Sequence, residues 1–421
     1  MLKRGLALLF RNRDFGLLMA SQFAAQAGDG IVQVAIAKLI AFGSQKGFDL
    51  EGARSPDELL RIALYLFVPY TILSPFLGVV IDRWDRRRLL FVANGLRGVV
   101  MVLVALVGTG AVPDVVLFLA FLLTIASTRV VLATKAAAIP ATLGGESLVE
   151  ANAVSQLGGA AFQLGGAGAA LFAAKFINTE PIVFVGAAVY IAGALVSLWI
   201  RHAGEPRGAT TMLKEVGLVA RNIVAGIAEV ARTQKAGAAI TTYFWLRLLW
   251  SFTIAGVGFI ARELLADEEF LILIVTGGAA AVGAALGFLA AARLTARVRT
   301  TAHLVLASSS LAGIAVAVLG PIEARAALAV LMFCLGFGFF LGKISLDTMV
   351  QEALGDDFRG RAFSLYDIAY NIAWVIAATI MQLFWTDDVQ GVLIAAMGVV
   401  FLIGLGLLGA WYKRAGLLAT T

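Results

Sequence analysis

One cysteine, Cys334, and two histidines, His202 and His303, are all that 421 residues supply of the side chains that most often carry redox, metal and acid–base chemistry. A lone cysteine excludes an intrachain disulfide and a cysteine metal cluster. Both histidines fall near predicted helix ends, as ordinary interfacial residues rather than ligands. No H-E-x-x-H and no G-x-S-x-G occurs, and Gly342-Lys343 is preceded by Phe337 where a P-loop needs glycine and followed by Ile344 where it needs Ser or Thr. A membrane enzyme and an ATP-driven pump lose their usual motifs, so the chain reads as not an enzyme, and no cofactor or metal is implied. Charge is also scarce, 14% against 60% apolar, where a soluble domain carries about a quarter and about half.

That apolar excess is arranged in runs. A spanning helix needs roughly 20 apolar residues, and candidate spans read as 16–42, 58–81, 89–110, 114–138, 149–174, 181–200, 237–261, 269–292, 301–320, 324–346, 361–385 and 390–411. The chain is therefore all-α and integral to a membrane, with 12 spans.

Basic residues gather in alternate gaps: Lys3, Arg4, Arg11 and Arg13; Arg83, Arg86, Arg87 and Arg88; the 201–235 segment; Arg293, Arg297 and Arg299; Arg359 and Arg361; Lys413 and Arg414. The other gaps hold Glu180, Asp267, Glu268, Glu269, Asp387 and Asp388. By the positive-inside rule both termini are cytoplasmic. This topology accounts for the net charge of +6, so nucleic acid is not expected as a partner. Arg11, Arg13 and Asp14 break the first short apolar run, which points to an uncleaved first span rather than a signal peptide.

Six spans precede the 201–235 segment and six follow it, predicting bundles over 1–200 and 236–421 joined by a cytoplasmic linker. In the linker Val216, Val219, Ile223, Ile227 and Val230 recur at helical spacing, an amphipathic helix for the inner membrane surface. A weak repeat supports related halves: Phe76-Leu77-Gly78-Val79 resembles Ala285-Leu286-Gly287-Phe288 at an offset of 209, and Lys135 and Lys343 lie 208 apart. Glycines inside the fifth and eighth spans suit close helix packing.

Ionisable residues in lipid are functional hypotheses by default. Asp29 lies about 14 residues beyond Phe15, roughly 21 Å into the membrane; a proton or substrate role and a permanently paired structural aspartate both stand. Arg247, among Tyr243, Trp245 and Trp250, is a counter-ion candidate for Asp29 or for an anionic substrate, with a fixed ion pair as the competing reading. Asp367, Asn371 and Trp374 form a polar stripe in the eleventh span. Lys343 and Asp347, four apart, share one helix face near the cytoplasmic end and suit a gate. Lys135 suits the gate of the first half, with Asp82 a possible partner. Lys38 and Arg129 are expected to snorkel towards the two surfaces. Gln33, Tyr243, Trp250 and Trp374 are candidates to line a substrate site; for the aromatics, core packing is the competing reading.

Gly78-Val79-Val80-Ile81-Asp82-Arg83-Trp84-Asp85-Arg86-Arg87-Arg88-Leu89 resembles the signature loop between spans two and three of the major facilitator superfamily, G-x-x-x-D-R-x-G-R-R-x-x-x. Asp85 replaces the usual glycine, and Ala291 stands where Asp82 would repeat in the second half. Arg11 through Phe15 with Gly28-Asp29-Gly30, Lys135 through Pro140 with Leu148 through Ala153, and Asp356 through Ser364 are similar to the bacterial drug, macrolide and siderophore efflux branch. The G-P-x-x-G-G of many proton-coupled exporters reads Gly166-Ala167-Gly168-Ala169-Ala170 here, without its proline.

The resemblance implies two six-helix bundles with pseudo-two-fold symmetry, a signature loop and cytoplasmic gate, and a monomer in the bacterial inner membrane among membrane lipids. It implies alternating-access export of an amphipathic or drug-like small molecule with proton coupling. Phe67 through Asp82 and Phe91 through Leu96 look similar to a lysophospholipid transporter of the same fold, which keeps lipid translocation as an alternative. A non-transporting receptor or scaffold is the alternative from another class.

Overall fold

The computed structural model describes residues 2–45, 58, 60, 61, 64, 84–107, 114–143, 148–203, 212–264, 274–295, 297, 298, 300–354, 356–386 and 388–419. The helices are α1 (Leu2–Arg11), α2 (Arg13–Phe42), α3 (Arg86–Val107), α4 (Asp114–Leu143), α5 (Leu148–Ala174), α6 (Thr179–Ser197), α7 (Met212–Arg232), α8 (Gln234–Leu264), α9 (Ala279–Thr295, entered by a π-helical turn over Ile274–Gly278), α10 (Thr301–Leu319), α11 (Arg325–Ala353), α12 (Asp356–Phe384) and α13 (Gln390–Arg414). Among the described residues nine helices are long and apolar enough to span a membrane, and Thr276–Ala291 and Ile368–Phe384 are shorter apolar stretches. Eleven expected spans thus coincide with helices; the expected span 58–81 lies almost wholly outside the described residues. Leu103, Leu119, Leu164, Ile314 and Leu407 point outwards from their helices and are exposed, a surface that suits lipid and not water.

The chain divides into two compact units, Met1–Ser55 with Leu73–Gly217 and Pro56–Ile72 with Leu218–Thr421. In the first, α2 packs on α5 and α6, and α3 on α6 and α4. In the second, α11 packs on α9 and α10, α8 on α12, and α10 on α13.

Hydrocarbon offers no hydrophobic drive between helices, so close backbone contact must hold them. A Cβ on Gly30 would lie 2.1 Å from the Gln163 carbonyl, and one on Gly166 would lie 2.3 Å from that of Ala27; α2 and α5 therefore meet backbone to backbone. Gly283 and Gly287 do the same for α9 against Phe333 and Phe337 of α11.

Polar groups knot the helix ends. Asn12 caps α2 by accepting from the Phe15 N–H at 3.1 Å, and its Nδ2 donates to the Thr142 carbonyl at 2.6 Å. Asp14 accepts from the backbone N–H groups of Arg201 and His202, at 3.1 and 3.0 Å. Asp85, where the family pattern has glycine, caps α3: its Oδ1 accepts from the Arg88 N–H at 2.8 Å. That cap turns Arg86, Arg87 and Arg88 into the first helical turn, so α3 begins three residues before the expected span at 89. At the other end Gly43, with a positive φ of 81° that favours glycine, closes α2. Lys38 there donates to the carbonyls of Gly43 and Gln45, at 3.3 and 2.5 Å, and to Thr179 Oγ1 at 3.1 Å. Its head is covered by protein, 2% exposed, where snorkelling to solvent was expected.

The linker forms α7, in which Val230 is buried while Val224 and Ile227 are exposed; the side chains of Val216, Val219 and Ile223 lie outside the described residues.

Gly166→Leu is expected to destabilise the first unit by about 1–3 kcal/mol, the usual cost of overpacking, whereas Gly165→Leu, with open space at its Cβ, is expected to be neutral. The fraction of protein that stays monodisperse after stepwise heating in detergent checks the contrast.

Candidate transport site

Asp29 sits midway along α2 between Gly28 and Gly30. A Cβ on Gly28 would lie 2.7 Å from the Tyr190 ring, so the two glycines let α6 and α5 close on either side of the carboxylate. Asp29 Oδ1 accepts from Arg97 Nη1 at 2.7 Å, Thr128 Oγ1 at 2.8 Å and Tyr190 Oη at 2.8 Å. Four helices, α2, α3, α4 and α6, thus converge on one oxygen. Asp29 is 2% exposed and Arg97 is fully buried. Arg97 Nη1 also donates to Thr128 Oγ1, Nη2 donates to Asn94 Oδ1, and the guanidinium lies 4.2 Å from the Tyr190 ring centroid. The charges cancel in place, which is the condition for holding them at this depth.

Arg97 was not foreseen as the partner. The polar run Asn94-Gly95-Leu96-Arg97 inside an apolar span is its signal in the sequence, where Arg247 is the expected counter-ion. Arg247 is buried in the second unit, its guanidinium 3.6 Å from the Tyr370 ring centroid and 5.5 Å from that of Phe339, a cation–π arrangement.

The aromatic candidates divide. Tyr243 packs on Tyr366 with centroids 4.3 Å apart, and Trp250 packs on Phe339 at 4.7 Å, so both serve the core. Trp374 lines an apolar cavity of about 170 Å³ in the second unit, together with Leu60, Ser251, Ala255, Phe259 and Met381. Gln33 is half-buried on α2, one turn beyond Asp29. Asn371 is fully buried, and among the described residues neither its Oδ1 nor its Nδ2 has a hydrogen-bond partner. The Asp367 side chain lies outside the described residues.

Of the gate candidates, Lys343 and Asp347 form the expected pair at 2.6 Å on α11. Arg86 donates to the carbonyls of Ala137 and Ala203 at 2.9 and 3.2 Å, tying the C-terminal part of α4 to the segment that follows α6, while the Arg87 carbonyl accepts from Ser197 Oγ at 3.5 Å. Lys135 Nζ donates to Ser155 Oγ at 2.8 Å. Gly78, Asp82 and Arg83, and the side chains of Arg359 and Arg361, lie outside the described residues.

The family model of the Major Facilitator Superfamily matches residues 18–378. The chain belongs to the Major Facilitator Superfamily. An uncharacterized MFS-type transporter of Mycobacterium tuberculosis is 27% identical over 400 residues, covering 87% of this chain and 84% of that one. An uncharacterized protein of Mycobacterium leprae is 25% identical over 413 residues, covering 90% of this chain and 68% of that one. The fold is similar to a POT family transporter in complex with 5-aminolevulinic acid, with a TM-score of 0.69 and 10% identity over 96% of each chain. It is also similar to the nucleoside transporter NupG, with a TM-score of 0.66 and 12% identity over 95% of this chain and 98% of that one. This superfamily member is a multi-pass membrane transporter and not an enzyme.

Either Asp29→Asn or Arg97→Gln alone leaves one buried charge unpaired, expected to cost about 3–5 kcal/mol. The double substitution removes both charges and is expected to recover most of that loss. A double-mutant cycle of thermal stability in detergent, showing strong coupling, checks the pair.

Proposed function

We propose that this transporter is a secondary active exporter of an amphipathic or drug-like solute, working by alternating access with protons as the counter-ion. The single observation that carries the reading is the buried Asp29 and Arg97 pair. A carboxylate held by one cation and two hydroxyls across four helices is a group whose partners change when those helices shift. Proton loading on Asp29 would free it from Arg97, which keeps Asn94 and Thr128 as partners; unloading on the other side restores the pair. The Lys343 and Asp347 pair is proposed as a gate, with the signature loop around Asp82 as its counterpart. The efflux-branch blocks in the sequence support export and a bacterial inner-membrane setting with cytoplasmic termini. The cavity beside Trp374 is proposed to receive apolar substrate surface.

The test is internal pH in proteoliposomes of purified protein while cationic drugs and lysolipids are added in turn. Wild type is expected to show solute-dependent proton movement, and both Asp29→Asn and the Asp29→Asn/Arg97→Gln double variant are expected to abolish it. The double variant, freed of unpaired charge, separates loss of coupling from loss of fold. Solute movement without proton movement in wild type would return Asp29 to a structural role and favour facilitated or lipid translocation.

A further inference from the structure

Cations elsewhere among the described residues find charge, several acceptors or aromatic faces, as buried Arg247 does over Tyr370 and Phe339. Arg97 has Asp29, Lys343 has Asp347, and Lys38 has two carbonyls and a hydroxyl. Lys135 differs. It is 6% exposed on α4, and among the described residues its ammonium meets one neutral hydroxyl, Ser155 Oγ at 2.8 Å on α5.

An ammonium carries three donors and no acceptor, so most of its capacity is unspent. The surrounding groups are polar and uncharged. Ser155 Oγ donates onward to Gln22 Oε1 at 2.9 Å; Gln22 Nε2 donates to the Ser155 carbonyl at 2.8 Å and to Gln26 Oε1 at 2.5 Å. The first two of these partners are almost wholly buried, Ser155 at 1% and Gln22 at 2%, which turns the cluster into the bundle and away from lipid. Gly159 makes room for the two amides: a Cβ there would collide with Gln26 Oε1 and Gln22 Nε2. A cation with spare donors beside amides and a hydroxyl is the chemistry that recognises a carboxylate or phosphate.

We propose that Lys135, with Ser155, Gln22 and Gln26, binds the anionic group of an amphipathic solute, a carboxylate or a phosphate mono- or diester. The inference rests on the transporter reading and narrows its substrate class. Ser155 fixes the ammonium, and the glutamine amides supply neutral donors as they re-pair around the incoming oxygens. Binding supplies a counter-charge to an ammonium that meets none among the described residues.

The experiment is equilibrium titration calorimetry of the purified full chain in maltoside micelles. The probes are hexyl phosphate, hexanoate, hexyltrimethylammonium and hexyl glucoside, which share one tail. Lysophosphatidylglycerol and lysophosphatidylcholine are titrated in parallel to separate a lipid headgroup from a free anion. Wild type is expected to bind the anionic probes at least about tenfold more tightly than the cationic or neutral ones, the worth of one charge-assisted hydrogen bond. Lys135→Met is expected to erase that preference and Lys135→Arg to keep it. Preference for lysophosphatidylglycerol over hexyl phosphate assigns the anion to a lipid; the reverse assigns it to a free solute, and either supports the site. Equal anion affinity in wild type and Lys135→Met overturns the proposal.

Folding is controlled separately. Loss of an unpaired buried charge is expected to leave Lys135→Met at least as heat-stable as wild type, whereas a sharp fall would show a structurally paired lysine and also overturn it. Ser155→Ala, which keeps the charge, is expected to weaken anion binding several-fold. Because no gradient is needed, Lys135-dependent binding without any transport in vesicles would remove the export reading and leave the site, while transport without Lys135-dependent binding would do the opposite.

Discussion

In hydrocarbon a charge must be neutralised by the protein itself, and the pair of Asp29 with Arg97 shows how much of the first unit follows from that demand. Arg97 reaches the carboxylate only because α3 lies against α6, and Tyr190 on α6 both bonds Asp29 Oδ1 and faces the guanidinium. Thr128 on α4 bridges the two charges. The glycines flanking Asp29 bring α5 and α6 within reach. Remove the charges and the reason for this particular convergence of four helices disappears.

The same demand governs the helix ends, where backbone groups lose their intrahelical partners. Asn12, Asp14, Asp85, Arg86 and Lys38 each satisfy such groups on a neighbouring segment or at their own helix terminus. The family-like blocks in the sequence therefore have local structural work as well as any role in gating. Asp85 is instructive: glycine at that point leaves the helix start to other means, whereas aspartate caps it directly.

Hydropathy made the spans legible, because length and apolar content are set by the bilayer and not by the partner helices. The Lys343 and Asp347 pair was equally legible, since spacing on one helix decides it. Asp29 stood out as a charge in an apolar run, but its partner did not. Pairing between α2 and α3 is a tertiary fact, and nothing in the local spacing of Arg97 on its own helix says which carboxylate on another helix it meets. Lys38 was placed at the right end of its helix yet in the wrong medium, because sequence does not show that Gly43, Gln45 and Thr179 cover it. Tyr243 and Trp250 could not be told from Trp374 by spacing, since core-facing and cavity-facing aromatics recur with the same period.

The two units repeat a helical plan without repeating its chemistry. The first unit buries an ion pair and a lysine with a neutral partner; the second stacks Arg247 on aromatic rings and opens an apolar cavity beside Trp374. The bilayer sets the length and apolar content of the helices but not which side chains face inward. The carboxylate that neutralises Arg97 comes from a neighbouring helix, whereas the ring faces of Tyr370 and Phe339 attract the Arg247 guanidinium, so each unit meets the demand for burying a cation with different side chains on the same kind of helical frame.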